Sequence, residues 1–332
     1  MRPLVLTGAT GFLGRAVLER LERTGTDRPI VALTRRAAPE LTERGIDVRV
    51  GSLLDGDWLR EVVPGEAPII HMAGRVDFEG AGLRELYALH VESTRTLARA
   101  ALEAASPRFV TITSSGASAV SRHPRHHTER DPYPAELVAR WPYYQSKMMQ
   151  ERLVLDLHRR EALPAVVLAP SLLLGPGDVN GSSTDVVADH LARRHAFVPS
   201  GGISIVDVRD VAETALAALD RGEVGERYLL GSLNCSFSTF FRVLESCSGV
   251  APPAFTAPRR TAVFGARLIE RLAGAGRARA ITPAKADMAS HFWYVDSSKA
   301  ARDLGFAPRR PEETIRDTIR FLETAREPLN AG

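Results

Sequence analysis

The sequence predicts an α/β protein built on a doubly wound, mostly parallel β-sheet with a smaller C-terminal lobe. Two observations carry this prediction: short apolar runs alternate with amphipathic helical patterns through the first half of the chain, and a glycine-rich turn follows the first run. Strands that alternate with helices form βαβ units, which build a parallel sheet with right-handed crossovers. The runs lack a two-residue polar alternation, as expected when helices cover both faces of the sheet.

The predicted elements follow one another in a regular order. Strand-like apolar runs lie at 4–7, 30–33, 47–50, 69–70, 109–113 and 165–168, and long helical patterns lie at 83–105 and 143–161. Beyond Pro170 the pattern loosens, with a strand at 203–208, a helix from residue 210 and a short strand at 228–230. Residues 251–286 are rich in Pro, Ala and Arg, which predicts loops and short helices rather than sheet.

The composition excludes several classes of function. The chain has 332 residues, of which 44% are hydrophobic and 25% charged, the balance of an ordinary globular protein. Its 43 basic and 40 acidic residues are scattered, so we expect no nucleic-acid partner. The cysteines have neither a metal-ligand nor a disulfide spacing, which predicts no metal site. No apolar stretch approaches the roughly 20 residues that cross a bilayer. Since the first residues also run directly into a strand, we expect a cytoplasmic protein without a membrane partner.

A glycine-rich turn joins the first strand to the first helix. Gly8, Gly11 and Gly14 occupy positions where a side chain would obstruct a tight turn, a bound pyrophosphate or helix–strand packing. The helix that follows would direct its amide groups and positive dipole end toward the phosphates. The sequence therefore predicts an NADP-binding Rossmann-type domain over 1–169, to which 203–232 could return, and a mostly substrate-binding lobe over 170–332.

The end of the second strand indicates which dinucleotide is bound. NAD sites usually have an Asp or Glu there, about 20 residues beyond the glycines, to accept the ribose hydroxyls. This chain has Thr34, Arg35 and Arg36 instead. A guanidinium matches a 2′-phosphate in charge and geometry, so NADP(H) is the preferred cofactor. NAD(H) is the alternative if both arginines are ordinary surface residues.

A tyrosine and a lysine one helical turn apart are the predicted centre of the chemistry. Tyr143 and Lys147 share a helix face, and an ammonium group is expected to lower the pKa of a neighbouring phenol. The run at 109–113 ends in Ser114 and Ser115, where a hydroxyl would point into the ligand crevice of such a sheet. We assign Ser115 to the substrate oxygen and Ser114 to packing at the strand end.

Further motifs follow other predicted strands. They are His71-Met72-Ala73-Gly74, Pro170-Ser171 and Gly175-Pro176-Gly177. Together with the glycine turn, the serine pair and the tyrosine–lysine spacing, these motifs resemble the extended (atypical) short-chain dehydrogenase/reductase family, within the NAD-dependent epimerase/dehydratase superfamily. The segments at 201–212 and 225–228 look most like the dihydroflavonol-4-reductase-like branch. The resemblance covers nearly the whole chain.

The resemblance implies which residues form the site. Ser115, Tyr143 and Lys147 are the implied catalytic residues, and the nicotinamide is expected beside 71–74 and 170–173. The residues assigned to the cofactor are Gly8, Thr10, Gly11, Phe12, Leu13, Gly14, Arg35, Arg36, Ser52, Leu53, His71, Met72, Ala73, Gly74, Thr113, Tyr143, Lys147, Pro170, Ser171 and Leu173.

The sequence also departs from the family pattern. Ser52 stands where many members have an Asp that holds the adenine, and His90 stands where the long helix usually has an Asn. The Tyr-Gly pair that sugar epimerases often have after the catalytic serine is absent, since 116–120 reads GASAV. These departures weaken the expected adenine contact and the hypothesis of an epimerase. They do not affect the three implied catalytic residues.

Three functional hypotheses follow. The leading one is an NADP(H)-dependent oxidoreductase that reversibly reduces a small-molecule ketone or aldehyde to an alcohol. The alternative is a nucleotide-sugar epimerase or dehydratase that retains its NAD, and the third is a non-catalytic protein that senses NADP(H). A homodimer is a family-level expectation. The aromatic residues at 291–294 could line a substrate site or pack in a core.

Overall fold

The computed structural model describes residues 2–78, 82–181, 183–273 and 282–325. The strands are β1 (Leu4–Thr7), β2 (Ile30–Thr34), β3 (Asp47–Val50), β4 (Ile69–His71), β5 (Phe109–Ile112), β6 (Ala165–Pro170), β7 (Leu172–Leu174), β8 (Val198–Pro199), β9 (Gly202–Asp207), β10 (Arg227–Leu230), β11 (Leu233–Ser236) and β12 (Thr256–Ala257). The helices are α1 (Phe12–Thr24), α2 (Pro39–Thr42), α3 (Gly56–Val62), α4 (Leu83–Tyr87), α5 (Ser93–Glu103), α6 (Ala135–Val138), α7 (Pro142–Glu161), α8 (Asp185–Leu191), α9 (Val208–Ala217), α10 (Phe237–Ser248), α11 (Arg259–Ala273), α12 (Pro283–Met288), α13 (Ser298–Leu304) and α14 (Pro311–Thr324). A π-helical turn (Ala88–Glu92) joins α4 to α5, and a 3₁₀ turn (Ser115–Ala117) follows β5.

The main sheet has seven strands in the order β10-β6-β5-β4-β1-β2-β3. Every neighbouring pair in it is parallel. The chain winds from β1 outward through β2 and β3 on one side, and through β4, β5 and β6 on the other, which confirms the predicted fold class. The strand order reverses between β1 and β4, so a crevice opens at their carboxyl ends, where open α/β sheets bind ligands.

Helices cover both faces of this sheet. Leu6 of β1 belongs to the core beneath α1 and α9, whereas its neighbour Val5 belongs to the core beneath α3, α5 and α7. Because successive residues of a strand point to opposite faces, each position of β1 is buried in one core or the other. This two-sided burial is the physical reason why the apolar runs lack polar alternation.

The C-terminal part of the chain is divided between two sheets. Strand β9 lies in a second, three-stranded sheet with the order β11-β9-β7, whereas β10 pairs with β6 at the edge of the main sheet. The sequence predicts that the segment 203–232 could return to the first domain. In the structure this segment contributes a strand to each of the two sheets. Helices α10 and α14 pack on the second sheet around Phe240, Phe241 and Ile315.

The long loop between β5 and α7 is bound to the C-terminal lobe. The Ser121 amide donates to the Phe292 carbonyl (3.0 Å), and the His127 amide donates to the Tyr294 carbonyl (2.9 Å). These contacts fasten the loop to the segment 292–295. The aromatic residues of that segment are thereby held beside the start of α7.

Two general findings apply to the described ranges. No helix within them is long and apolar enough to cross a bilayer. No group of three or more His, Cys, Asp or Glu side chains among the same residues could hold a metal ion.

Two glycines of the turn after β1 are required by the fold itself. Gly8 has φ +72°, and a Cβ there would lie 2.8 Å from the backbone of Met72 and Ala73, in the loop after β4. A Cβ at Gly14, on α1, would lie 2.2 Å from the Gly8 carbonyl oxygen and 2.6 Å from the Ala9 Cα. The absence of both side chains lets α1 approach β1 closely and leaves a concave backbone at the carboxyl ends of β1 and β4.

Gly14→Ala should therefore destabilise the protein, because the new methyl group meets backbone atoms that cannot rotate away. We expect the free energy of unfolding to fall by about 1–3 kcal/mol, the usual range for overpacking, measured by chemical denaturation. Gly65→Ala is the matched control, since a Cβ at Gly65 would have no neighbour within 4 Å. Equal stability of the two variants would contradict the assigned clash.

Candidate active site

Helix α7 carries the predicted catalytic pair. The helix begins at Pro142, whose fixed φ suits a first helical turn. Tyr143 is 7% exposed and Lys147 is 5% exposed. The Lys147 Nζ atom donates to the Ile112 carbonyl at the end of β5 (3.4 Å) and to Gln150 Oε1 (2.9 Å). The structure therefore brings the pair to the carboxyl end of β5.

Burial controls the protonation of both side chains. It lowers the pKa of Lys147 to about 7, because an ammonium group that loses its hydration is less stable. It raises the pKa of Tyr143 to about 12, against the smaller, opposite effect of a hydrogen bond with the Ser114 side chain. The pKa of this phenol therefore lies above its usual value because of burial, whereas the sequence predicts a value lowered by the neighbouring ammonium group. At neutral pH the phenol keeps its proton and can donate it.

The two serines after β5 point to different neighbours. Thr113 turns its hydroxyl toward α7, where it donates to Glu151 Oε2 (2.8 Å). The Ser114 Oγ accepts from the Gly116 amide (3.3 Å), and a hydrogen bond of the same side chain with Tyr143 lowers the pKa of the phenol. The Ser115 hydroxyl donates to the Ser171 Oγ, just beyond the end of β6 (3.3 Å). The sequence assigns Ser115 to the substrate oxygen, and the structure places both serines in the turn after β5, at the end of the strand that Lys147 also contacts.

The loop after β4 lies directly against the lysine. A Cβ at Gly74 would be 3.3 Å from both the Lys147 Nζ and the His90 Nε2. This loop also borders the glycine turn, because Gly8 approaches Met72 and Ala73. The glycine turn, the loop 71–74 and the catalytic pair thus form one continuous surface at the carboxyl ends of β1, β4 and β5. Its concave, side-chain-free backbone fits a dinucleotide.

Two arginines stand at the adjacent strand end. Arg35 and Arg36 follow β2, are exposed, and form no ion pair with any residue that the structure describes. The Thr34 hydroxyl donates to the Arg36 carbonyl (2.8 Å), which fixes the turn that carries them. Both guanidinium groups are therefore available to an anion at the edge of the sheet where β1 and β2 end.

Some predicted cofactor residues already use their side chains within the protein. The His71 ring, 0% exposed, lies between the hydroxyls of Thr7 (2.7 Å) and Thr94 (2.8 Å). The Ser52 hydroxyl accepts from the Leu54 amide (3.2 Å). His71 therefore faces a cofactor only through its backbone, whereas the exposed Ser52 hydroxyl keeps its proton for another acceptor. Of the remaining positions, Thr10 and Leu53 lie in the turns after β1 and β3, Phe12 and Leu13 begin α1, Pro170 ends β6, and Leu173 lies within β7.

The sequence model of one family matches residues 4–231. The chain belongs to the NAD dependent epimerase/dehydratase family. It is an NAD(P)-dependent oxidoreductase, which confirms the predicted family and the prediction that the chain is an enzyme.

Relatives with assigned names extend over the whole chain. A "Sterol demethylase protein B" of Methylococcus capsulatus is 28% identical, over 96% of this chain and 97% of that protein. A 4-hydroxy-2-methyl-3-oxo-4-farnesyl-3,4-dihydroquinoline-1-oxide ketoreductase of Stigmatella aurantiaca is 27% identical, over 96% of each chain. The crystal structure of a dTDP-glucose 4,6-dehydratase from Streptomyces venezuelae with NAD superposes with a TM-score of 0.75 at 19% identity, over 98% of each chain. This last similarity concerns the fold alone.

Aromatic side chains lie beside Tyr143, the predicted catalytic tyrosine. Phe78 meets the Tyr143 ring edge-on, with centroids 5.1 Å apart, and Tyr144 lies 5.2 Å from Tyr143. Trp293 packs against Tyr144 at 4.7 Å, and Trp141 packs against Trp293 at 5.4 Å. The aromatic segment at 291–294 therefore contributes Trp293 to the wall around the tyrosine. We name Phe78, Tyr144, Trp141 and Trp293 the aromatic wall.

Three buried polar side chains that hold this site together belong to none of the motifs found in the sequence. Thr94, Gln150 and Glu151 are each 0% exposed and hydrogen-bonded. A usable signal exists for two of them, because Gln150 and Glu151 follow Lys147 by one helical turn, on the side that the lysine faces. Nothing in the sequence marks Thr94, since its partners come from distant segments.

Proposed function

We propose that this oxidoreductase reversibly reduces a ketone or aldehyde to an alcohol with NADP(H), using Tyr143, Lys147 and Ser114. The observation that carries the proposal is the buried Tyr143–Lys147 pair, which lies against Gly74 at the carboxyl ends of β4 and β5. A phenol that keeps its proton at neutral pH suits the delivery of a proton to a carbonyl oxygen. Ser114, whose hydrogen bond with the same phenol lowers its pKa, is the hydroxyl that we assign to that oxygen.

Each side chain has a separate task. The bound nicotinamide supplies the hydride that the carbonyl carbon receives. The Tyr143 hydroxyl donates its proton to the substrate oxygen, and in the direction of oxidation the phenolate takes that proton back. Ser114 donates a hydrogen bond to the same oxygen and stabilises the charge that develops on it. Lys147 would hold the nicotinamide ribose, and its positive charge would stabilise the phenolate that remains.

The preference for NADP(H) is supported by the arginines after β2. Their exposure and lack of ion pairs leave two guanidinium groups for a 2′-phosphate, where NAD sites have a carboxylate. The side chain after Gly51 is Ser52, so this edge has no acidic group at that position to repel a phosphate.

The substrate that we propose is a bulky, mostly apolar carbonyl compound. Phe78 and Tyr144, the partly buried members of the aromatic wall, would offer flat apolar faces beside Tyr143, which suit a ring system better than a hydrated sugar diphosphate. A relative of similar length is named as a ketoreductase of a farnesylated quinoline, and another is named as a sterol demethylase protein. Both names fit substrates of this physical character.

Tyr143→Phe should lower kcat by about 10²–10⁴-fold, because it removes the proton donor and retains the ring. The measurement is NADPH oxidation with a panel of aromatic and polycyclic ketones. Tyr144→Phe is the control, since it loses a hydroxyl one position along the helix. If Tyr143→Phe retains full activity, or if no carbonyl is turned over while NADPH still binds, the non-catalytic hypothesis gains.

The two serines can be separated by single substitutions. Ser114→Ala should lower kcat by about 10²–10³-fold, the usual cost of one donor to a developing oxyanion, and should leave the Kd for NADPH little changed. Ser115→Ala should have a much smaller effect, because its hydroxyl is directed to Ser171. The reverse order of effects would return the role to Ser115, the residue that the sequence favours.

The cofactor preference is tested by binding. The wild-type protein should bind NADPH more tightly than NADH, and Arg35→Ala or Arg36→Ala should weaken NADPH binding by about tenfold, in keeping with a charge-assisted hydrogen bond worth 1.5–3 kcal/mol. NADH binding should stay the same in both variants. Equal affinities, or NAD that remains bound through purification, would favour the epimerase or dehydratase alternative.

A further inference from the structure

Gln150 makes the shortest hydrogen bond of the catalytic lysine. Its Oε1 lies 2.9 Å from the Lys147 Nζ, and its Nε2 lies 3.0 Å from the Thr94 Oγ1. The side chain is 0% exposed, so no water competes for either end. An amide in this place could present its carbonyl oxygen or its NH₂ group to the lysine, and the two choices have opposite effects on an ammonium group.

The hydrogen bonds of Thr94 decide between the two orientations. Its hydroxyl donates its single proton to the His90 carbonyl, at 2.6 Å. Thr94 must therefore accept from both of its other neighbours, the His71 Nε2 at 2.8 Å and the Gln150 side chain at 3.0 Å. Gln150 consequently turns its NH₂ group to Thr94 and its carbonyl oxygen to Lys147. A flipped amide would place the Gln150 oxygen against the Thr94 oxygen, which are both acceptors, and its NH₂ group against the Lys147 ammonium group, which are both donors.

The same assignment of donors and acceptors continues from Thr94 to the end of β1, beside the loop 71–74. Because the His71 Nε2 donates to Thr94, its Nδ1 accepts from the Thr7 hydroxyl at 2.7 Å. The Thr7 oxygen in turn accepts from the Ala73 amide at 3.2 Å. One unbroken series of hydrogen bonds thus connects the loop 71–74 with the orientation of Gln150.

We infer that Gln150 is a positioning residue that holds Lys147 in one orientation and favours its ammonium form, with Thr94 and His71 fixing which end of the amide faces the lysine. A carbonyl dipole directed at a buried ammonium group replaces part of the hydration that burial removes. The inference rests on the proposed function for its consequence alone, namely that Lys147 must be charged to act on Tyr143 and the ribose.

The titratable groups around Lys147, among the residues that the structure describes, are Tyr143 and Glu151 on its own helix, His71 from β4 and His90 from the π-helical turn. Glu151 is buried and paired with Arg227, whose Nη1 lies 2.9 Å from its Oε1. Burial raises the pKa of Tyr143 to about 12 and lowers those of His71 and His90 to about 3 and about 2. None of the three changes charge near neutral pH. A titration in that range therefore reports on Lys147.

The test is the titration of Lys147 in the protein without added cofactor. The chain contains three lysines, Lys147, Lys285 and Lys299, so labelling lysine with ¹³C at the ε-carbon gives three NMR signals, and Lys147→Arg identifies one of them. Gln150→Met keeps the side-chain length and removes both hydrogen bonds. We expect it to lower the titration midpoint of Lys147 by about one pH unit, the size of one charge-assisted hydrogen bond, whereas Gln150→Glu should raise it.

Matched variants make the outcome decisive. Gln145→Met, on the same helix but outside this series of hydrogen bonds, should leave the midpoint unchanged. Thr94→Val leaves Gln150 in place, removes what fixes its orientation, and should lower the midpoint in the same direction, which keeps the test usable if Gln150→Met does not fold. A Lys147 midpoint that is identical in wild type, Gln150→Met and Thr94→Val overturns the inference.

Activity supplies an independent measurement. With NADPH and a reducible carbonyl, kcat/KM should fall as the pH rises through the pKa of Lys147, because the ammonium form is lost. In Gln150→Met this fall should occur at a lower pH. A Lys147 midpoint that follows Gln150 in a protein that reduces no carbonyl would disprove the proposed function and leave the positioning role intact, so the two failures are distinguishable.

Discussion

Helix α7 is held in place by a carboxylate that is completely removed from water. Glu151 is 0% exposed and accepts hydrogen bonds from the Thr113 hydroxyl at the end of β5 (2.8 Å), the Tyr133 hydroxyl (2.9 Å) and Arg227 Nη1 (2.9 Å). Arg227 lies on β10, and its guanidinium group also donates to the carbonyl oxygens of Glu129 and Asp131. A buried ion pair of this kind costs several kcal/mol to break from one side, because the remaining charge stays buried without a partner. The helix, two strands of the sheet and the loop before α7 are therefore fixed relative to one another.

This constraint determines what surrounds the catalytic tyrosine. The loop held by Arg227 is also bonded to the segment 292–295, which brings Trp293 against Tyr144 and closes the aromatic wall. On the other side of α7, the neutral rings of His71 and His90 fill the space between β4 and the lysine. A neutral histidine satisfies its neighbours through hydrogen bonds and adds no second positive charge beside Lys147. His90 packs edge-on against Tyr143, with ring centroids 5.8 Å apart, so the residue that departs from the family pattern still forms part of the site.

Burial raises the pKa of the Tyr143 phenol and lowers that of the Lys147 ammonium group, and both shifts suit the proposed chemistry. A phenol that keeps its proton is a donor, and a lysine with a pKa near 7 responds strongly to one hydrogen-bond partner. The charge of Lys147 thus depends on two opposing effects: burial disfavours its ammonium form, and the two fixed acceptors on Ile112 and Gln150 favour it. The predicted cofactor surface at the ends of β1 and β2 is open to solvent instead of buried. The glycines of the turn have no side chains there, which leaves backbone groups and the two arginines accessible to a ligand.

Much of this could be read from the sequence, because it depends on local patterns. Alternating strands and helices determine a parallel sheet, the glycine spacing marks the turn after β1, and the spacing of Tyr143 and Lys147 places them on one helix face. Only the tertiary structure shows the hydrogen-bond partners of Ser114 and Ser115, because these depend on where the strand ends and the 3₁₀ turn begins. It also decided the partners of Gln150, Thr94 and Glu151, which come from segments far apart in the chain. Only the tertiary structure determines the pKa of the phenol as well, because desolvation depends on the packing of the interior and not on the spacing of residues along the chain.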